Sequence, residues 1–288
     1  MIAVVGATGN TGRAVVKELQ GLGQNPVCIV RNADKAREVL GANAKTAVAE
    51  LTDRGALEKA LQGVTSVFVV TGHNPAMAEQ QIGIMEAAER AGAKYLVRVS
   101  GGRAVVGPDV PSVVGRGHYA IEEALKKSKL GWVILRPGLF MQNTFAQAAL
   151  IKGEGKMVMP VAKDKPMALT DVRDTGALGA RVVANPAPHA GKTYEFTGKL
   201  TTYGDFAEVF SQVLGKPVAC ITTTVEQAEQ TMKSRNMPDW LVTHLVMIAK
   251  LSVEGAFSNE NTQPIRDIVG RDPITARKFV EDHKAMFA

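Results

Sequence analysis

The chain has 288 residues, of which 45% are apolar and 22% charged, and 34 Lys+Arg against 28 Asp+Glu give a formal net charge of +6. The length suits one large α/β domain or a domain with a smaller partner, and no apolar run reaches the roughly 18 residues of a membrane span. The basic residues are dispersed, which disfavours nucleic acid and favours a solvated surface with some attraction for anionic ligands; Cys28 and Cys220 lie far apart, and no CxxC or His/Cys cluster suggests a metal.

Ile2 to Val5 reads as a short buried strand, beginning too early to leave room for a signal peptide. With two isolated cysteines this predicts a reducing, cytoplasmic setting. Gly6, Gly9 and Gly12 follow at a spacing of three, and Val15, Val16, Leu19 and Leu22 then recur at helical spacing. Strand, glycine turn and helix make the phosphate-binding opening of a dinucleotide fold. The first glycine permits the tight turn, the second lets the backbone approach a pyrophosphate, and the third lets helix and strand pack closely. Amides at the helix start then face the anion, so Gly6, Thr8, Gly9, Asn10, Thr11 and Gly12 are cofactor-binding candidates.

Pro26 to Val30 reads as the second strand, ended by Arg31 and Asn32. An acidic residue about 20 positions past the glycines would select NAD through the ribose 2′-hydroxyl. Arg31 stands there instead, and a guanidinium pairs with a 2′-phosphate, so NADP(H) is the expected cofactor, with Lys35 assisting. A third strand at Thr46 to Ala49 leads to Glu50 and Leu51, placed to meet the adenine, and Asp53 reads as the N-cap of a helix from Arg54 to Leu61. A fourth strand, Ser66 to Val70, ends in the cofactor-side loop Thr71-Gly72-His73-Asn74, where His73 reads as a solvated loop histidine. A helix from about Ala76 to Ala91 and a fifth strand from Tyr95 to Val99 lead to Ser100, at a strand end near the nicotinamide. The alternation of strand and helix requires a parallel sheet with right-handed crossovers. Gly101 to Gly117 reads as a loop or lid, His118 to Lys127 as a helix, and Trp132 to Leu135 as a sixth strand.

The second half is less regular. Strands are expected at Met157 to Pro160, Ala168 to Val172, Tyr194 to Thr197 and Val218 to Thr223. Helices are expected from Thr175 to Ala184, capped by Asp174, from Thr201 to near Gly215, and over 225–235, 238–254 and 274–287. Met232, Met237, Trp240, Leu241, Leu245 and Met247 suit an apolar lid, a core, or the face of a homodimer.

Three segments carry a family resemblance: Gly-Ala-Thr-Gly-Asn-Thr-Gly at 6–12, Val-Arg-Asn at 30–32 and Leu-Arg-Pro-Gly-Leu-Phe-Met-Gln-Asn at 135–143. They resemble the NmrA-like branch of the atypical short-chain dehydrogenases/reductases, as does Ile268 to Val280 near the C-terminus. The resemblance implies a Rossmann-like, doubly wound α/β domain over 1–143 that binds NADP(H). A smaller α/β substrate domain would follow over 144–288, with segments around 165–200 returning to the first. The branch includes quinone reductases, dye reductases, aromatic ether reductases and nucleotide-sensing regulators.

The wider superfamily pairs a proton-donating tyrosine with a lysine four residues on. Two registers compete here. Tyr119 has Glu123 in the lysine position, which cannot do the lysine's work. Alignment on Glu122 and Leu125 puts His118 in the lysine position and Val114 in the tyrosine position, and this register is preferred. The tyrosine is then missing, Tyr119 is packing, and Glu122 is structural, bonded to backbone or to Arg136. His118 and Ser100 are the catalytic candidates, and Phe140 and Asn143 the edge of the substrate pocket. The expected function is NADPH-dependent hydride transfer to a small, planar, quinone-like or other conjugated aromatic acceptor. The alternative is a non-catalytic NADP(H) sensor that binds a regulatory protein partner.

Overall fold

A computed structural model describes all residues, 1–288. The first half runs β1 (Ile2–Val5), α1 (Asn10–Gly21), β2 (Val27–Val30), α2 (Ala33–Leu40), β3 (Lys45–Val48), α3 (Arg54–Ala60), β4 (Ser66–Val69), α4 (Met77–Arg90), β5 (Tyr95–Val99), α5 (Val113–Lys127) and β6 (Gly131–Pro137). The second half runs β7 (Leu139–Phe140), α6 (Ala148–Glu154), β8 (Lys156–Met159), β9 (Met167–Thr170), α7 (Val172–Ala184), β10 (Lys192–Phe196), β11 (Leu200–Thr201), α8 (Tyr203–Leu214), β12 (Ala219–Thr222), α9 (Val225–Ser234), α10 (Asp239–Glu254), α11 (Gln263–Val269), α12 (Ala276–Asp282) and α13 (Lys284–Phe287).

Seven strands form one parallel sheet in the order β10-β6-β5-β4-β1-β2-β3. Every residue of β1 and β4 is buried, because helices cover both faces of the sheet. The pleat sorts side chains by parity. Val4, Phe68, Val97 and Leu135 pack on one face with Val15, Val16 and Leu19 of α1 and Leu178 and Val182 of α7. Ala3, Val5, Val67, Val69 and Leu96 pack on the other with Leu57 and Leu61 near α3, Ile84 and Ala88 of α4, and Leu125 of α5. Chain order reverses on either side of β1, so the loops after β1 and β4 part and leave a crevice at the carboxyl edge. The sheet also takes β10 from the second half, paired in parallel with β6 from Lys192↔Val133 to Phe196↔Pro137. A separate core gathers Met141, Ile151, Met157, Leu169, Phe206, Phe210, Phe279 and Phe287 beneath the small sheets β11-β9-β7 and β12-β8. No helix is long and apolar enough to cross a membrane.

Three sequence expectations need correction. The span 101–117 is not all loop: α5 starts at Val113, with the Ser112 hydroxyl accepting from the amides of Val114 and Gly115. Gly115 reads as a breaker in sequence, yet it stands in the helix because a Cβ there would lie 2.3 Å from the Val105 carbonyl oxygen. The cap of α7 is Asp171, not Asp174; the Asp174 carboxylate accepts from Arg271 and from the Ile274 amide, tying down the C-terminal segment. The helix expected over 274–287 is two short ones, broken at His283. The 3₁₀ turn Met141–Gln147 and the helices α6 and α11 carry too little apolar periodicity to be read from sequence.

Candidate active site

The crevice encloses about 680 Å³, within the usual range for a small-molecule or cofactor site. Its wall begins with the β1–α1 loop, where Gly6, Thr8, Gly9, Asn10, Thr11 and Gly12 all face it. Gly6 has φ +80°, and a Cβ on Gly12 would lie 2.1 Å from the Gly6 carbonyl oxygen, so loop and helix touch backbone to backbone. Gly9 caps α1 without a side chain, which leaves the first-turn amides open toward the crevice. This cradle fits a pyrophosphate.

Arg31, exposed at the end of β2, lines the same wall, as do Glu50 and Leu51 after β3 and Thr71 and Gly72 after β4. Lys35 does not. Asn32 caps α2 by accepting from the Lys35 amide at 2.9 Å, and this places Lys35 in the first helical turn, off the crevice wall.

At the inner end Ser100, His118, Phe140 and Asn143 come together with His73. Ser100 and Glu122 are buried, and the Ser100 hydroxyl donates to Glu122 Oε1 at 2.6 Å. Arg136 donates to both oxygens of Glu122, at 3.0 and 2.5 Å, and to Glu195 at 2.9 Å. Burial alone would raise the Glu122 carboxyl, but the hydrogen bonds from Arg136 and Ser100 hold it below the ordinary range. Glu122 is therefore an anchored carboxylate. Because it takes the Ser100 proton, Ser100 faces the crevice as an acceptor.

His118 is 4% exposed, and its Nδ1 lies 2.6 Å from Arg98 Nη2. Arg98 interrupts the apolar strand β5 and is itself fully enclosed, with Nε donating to Gln81, which in turn donates to Thr71 at 2.7 Å. Burial pulls the guanidinium down to about 9, opposed by Glu122, so Arg98 is still a cation at neutral pH. His73 stands between His118 and a third histidine, His244 of α10, with ring centroids 5.4 and 5.2 Å away in edge-to-face contact. His73 is exposed and lines the crevice. His244 is buried with Nδ1 2.8 Å from the Ser112 hydroxyl. Loss of solvation lowers all three imidazoles, His244 to about 4 and His118 well below its ordinary value; the nearby Arg98 adds to the effect at His118 and His73.

Val114 is fully buried against Met77 and Ile121, and none of Tyr95, Tyr119, Tyr194 or Tyr203 lines the crevice. Tyr119 is not packing either; it is exposed on α5. Of the apolar residues grouped as a lid, Trp240 packs on that same small cluster beside α5 and Met247 is buried. His73 is exposed in its loop, as expected, but packs edge-to-face with two other histidines, and His244 and Arg98 are residues the sequence reading passes over. The available signal was Arg98, a charged residue within the otherwise apolar run of β5.

The model of the NmrA-like family matches residues 1–281. An NAD(P)H azoreductase of Xenophilus azovorans is 32% identical over 288 residues, spanning 100% of this chain and 99% of its own. Quinone oxidoreductase 2 of Escherichia coli is 29% identical over 97% of each chain. An NADPH-dependent quinone oxidoreductase from Escherichia coli, solved with NADPH, superposes with a TM-score of 0.85 at 27% identity, covering 98% of this chain and 99% of that one.

Proposed function

Because the chain belongs to the NmrA-like family, we propose that it is an NADPH-dependent reductase that passes hydride to a quinone-like or other conjugated aromatic acceptor. The observation that carries this reading is the make-up of the crevice's inner end, where neutral histidines and an anchored serine stand and neither a tyrosine nor a lysine does. A carbonyl that becomes an alkoxide needs a strong proton donor beside it. A quinone or azo group does not, since its reduced anion is delocalised. Such an acceptor asks for orientation, a hydrogen-bond donor and exclusion of water.

The nicotinamide supplies the hydride when bound. Gly6, Gly9, Asn10 and Gly12 hold the pyrophosphate on the α1 amides, and Arg31 pairs with the 2′-phosphate. Phe140 and Asn143 border the acceptor, His118 donates to it, and Ser100 with Glu122 fixes the floor. The hydrogen bond from the Ser100 hydroxyl to Glu122 supports reading Ser100 as a positioning group rather than an acid. The azoreductase and quinone oxidoreductase relatives support the acceptor class.

The test is oxidation of NADPH, followed by absorbance, with a panel of quinones and azo dyes. Turnover of at least one conjugated acceptor, with NADPH preferred over NADH, is the expected result. If no acceptor is turned over while NADP⁺ raises the melting temperature, the protein is a nucleotide sensor instead.

A further inference from the structure

We propose that Arg98 is a positioning residue that locks His118 as a neutral Nε2–H tautomer, so that His118 hydrogen-bonds the acceptor without ever giving up its proton. The proposal rests on the reductase reading for its purpose, but not for its chemistry. A guanidinium has donors only. At 2.6 Å from Arg98 Nη2, His118 Nδ1 must therefore be the acceptor, and the ring's one proton sits on Nε2. A second proton would have to enter at Nδ1, against a cation that has no lone pair to offer. Arg98 cannot step aside: it lies in β5, is enclosed by protein, and is held at Nε by Gln81. His118 itself lines the crevice, and the missing side chain of Gly101, just past the end of β5, leaves room beside Nε2, where a Cβ would lie 3.6 Å away.

The groups facing His118 come from every neighbouring element. Arg98 from β5 and Arg136 from β6 are cations; His73 after β4 and His244 on α10 are imidazoles; Glu122, one turn along α5, is already neutralised by Arg136. Nothing among them stabilises an imidazolium at this position. The same logic holds on the far side of His73. The Ser112 oxygen accepts from two amides, Val114 and Gly115, so its proton points at His244 Nδ1 and fixes that ring as an Nε2–H tautomer too. His73, between them, touches both rings edge-to-face and has no protein hydrogen bond that fixes its proton.

A neutral imidazole donor suits an acceptor that gains negative charge on oxygen or nitrogen. It stabilises the anion at every pH, where an imidazolium would be lost above its pKa.

The deciding experiment is ¹⁵N NMR of the histidine side chains in the wild-type protein with NADP⁺, from about pH 5.5 to about pH 8. The expected result is an acceptor-type Nδ1 and a proton-bearing Nε2 on His118 that do not change across the range. A His118 that titrates, or that carries its proton on Nδ1, overturns the proposal. Arg98→Met gives a second reading. With the donor gone nothing holds the ring proton on Nε2, so the acceptor-type Nδ1 signal of His118 is lost, and the pH profile of kcat/KM is read beside it for any inflection absent from the wild type. A variant that folds and keeps the wild-type tautomer and profile also overturns it. Should the variant fail to fold, the wild-type spectrum decides alone; should no acceptor be reduced, the spectrum still tests the lock and only the reductase reading falls.

Discussion

His244→Gln is expected to remove a specific part of the acid sensitivity of this fold. Burial lowers the His244 pKa from 6.5 to about 4 in the native state. The unfolded chain takes up that proton near the ordinary value, and the folded chain refuses it until well below. The unfolded state thus binds more protons through this window, and stability falls as the pH falls from about 6.5 to about 4, with no effect above. At about 1.4 kcal/mol per pKa unit, the full loss is about 3 kcal/mol. Glutamine can still accept from the Ser112 hydroxyl, so at neutral pH the variant loses about 1 kcal/mol at most. Urea unfolding at a series of pH values, read by tryptophan fluorescence, gives both curves. The variant's should be the flatter, crossing the wild type in mild acid. Parallel curves would mean that His244 is not held neutral by burial.

Other predictions are as direct. Gly12→Ala puts a Cβ 2.1 Å from the Gly6 carbonyl, so the cradle must open, and NADPH affinity by calorimetry should fall by more than about tenfold. Arg31→Asp should weaken NADPH by roughly 10- to 100-fold and leave NADH little changed; equal effects would remove Arg31 from the 2′-phosphate. Glu122→Gln breaks a buried ion pair with Arg136 and should cost about 3 kcal/mol in urea unfolding. Ser100→Ala should keep kcat within about tenfold, since the serine proton already belongs to Glu122; a loss beyond about 100-fold would make Ser100 the acid.

The glycine-loop half of the crevice was legible because its signals are local. Gly6, Gly9 and Gly12 sit in one turn, and Arg31 ends the next strand, so chain order alone fixes their neighbourhood. Thr71 and Ser100 follow from the rule that a parallel sheet puts its functional loops at the carboxyl edge. The inner end was not legible, because its signals are long-range. His244 reaches His73 only through the packing of α10 on α5, and no local pattern foretells that crossing. Arg98 hides within Tyr95–Val99, which reads as an apolar strand; its role emerges only when Gln81 and His118 arrive from other elements. Lys35 is the reverse case. Its spacing from Arg31 suggested a second phosphate contact, but the Asn32 cap turns the chain into α2 and carries it off the wall.

The central claim is that this crevice transfers hydride from NADPH to a conjugated acceptor without a tyrosine. It is tested most directly by single-turnover mixing of the NADPH-bound protein with a quinone or an azo dye. Bound NADPH should be lost stoichiometrically, more slowly when the transferred hydrogen is deuterium and undiminished when Tyr119 is replaced by phenylalanine. NADPH that binds and is never oxidised, or oxidation abolished by Tyr119→Phe, would contradict it.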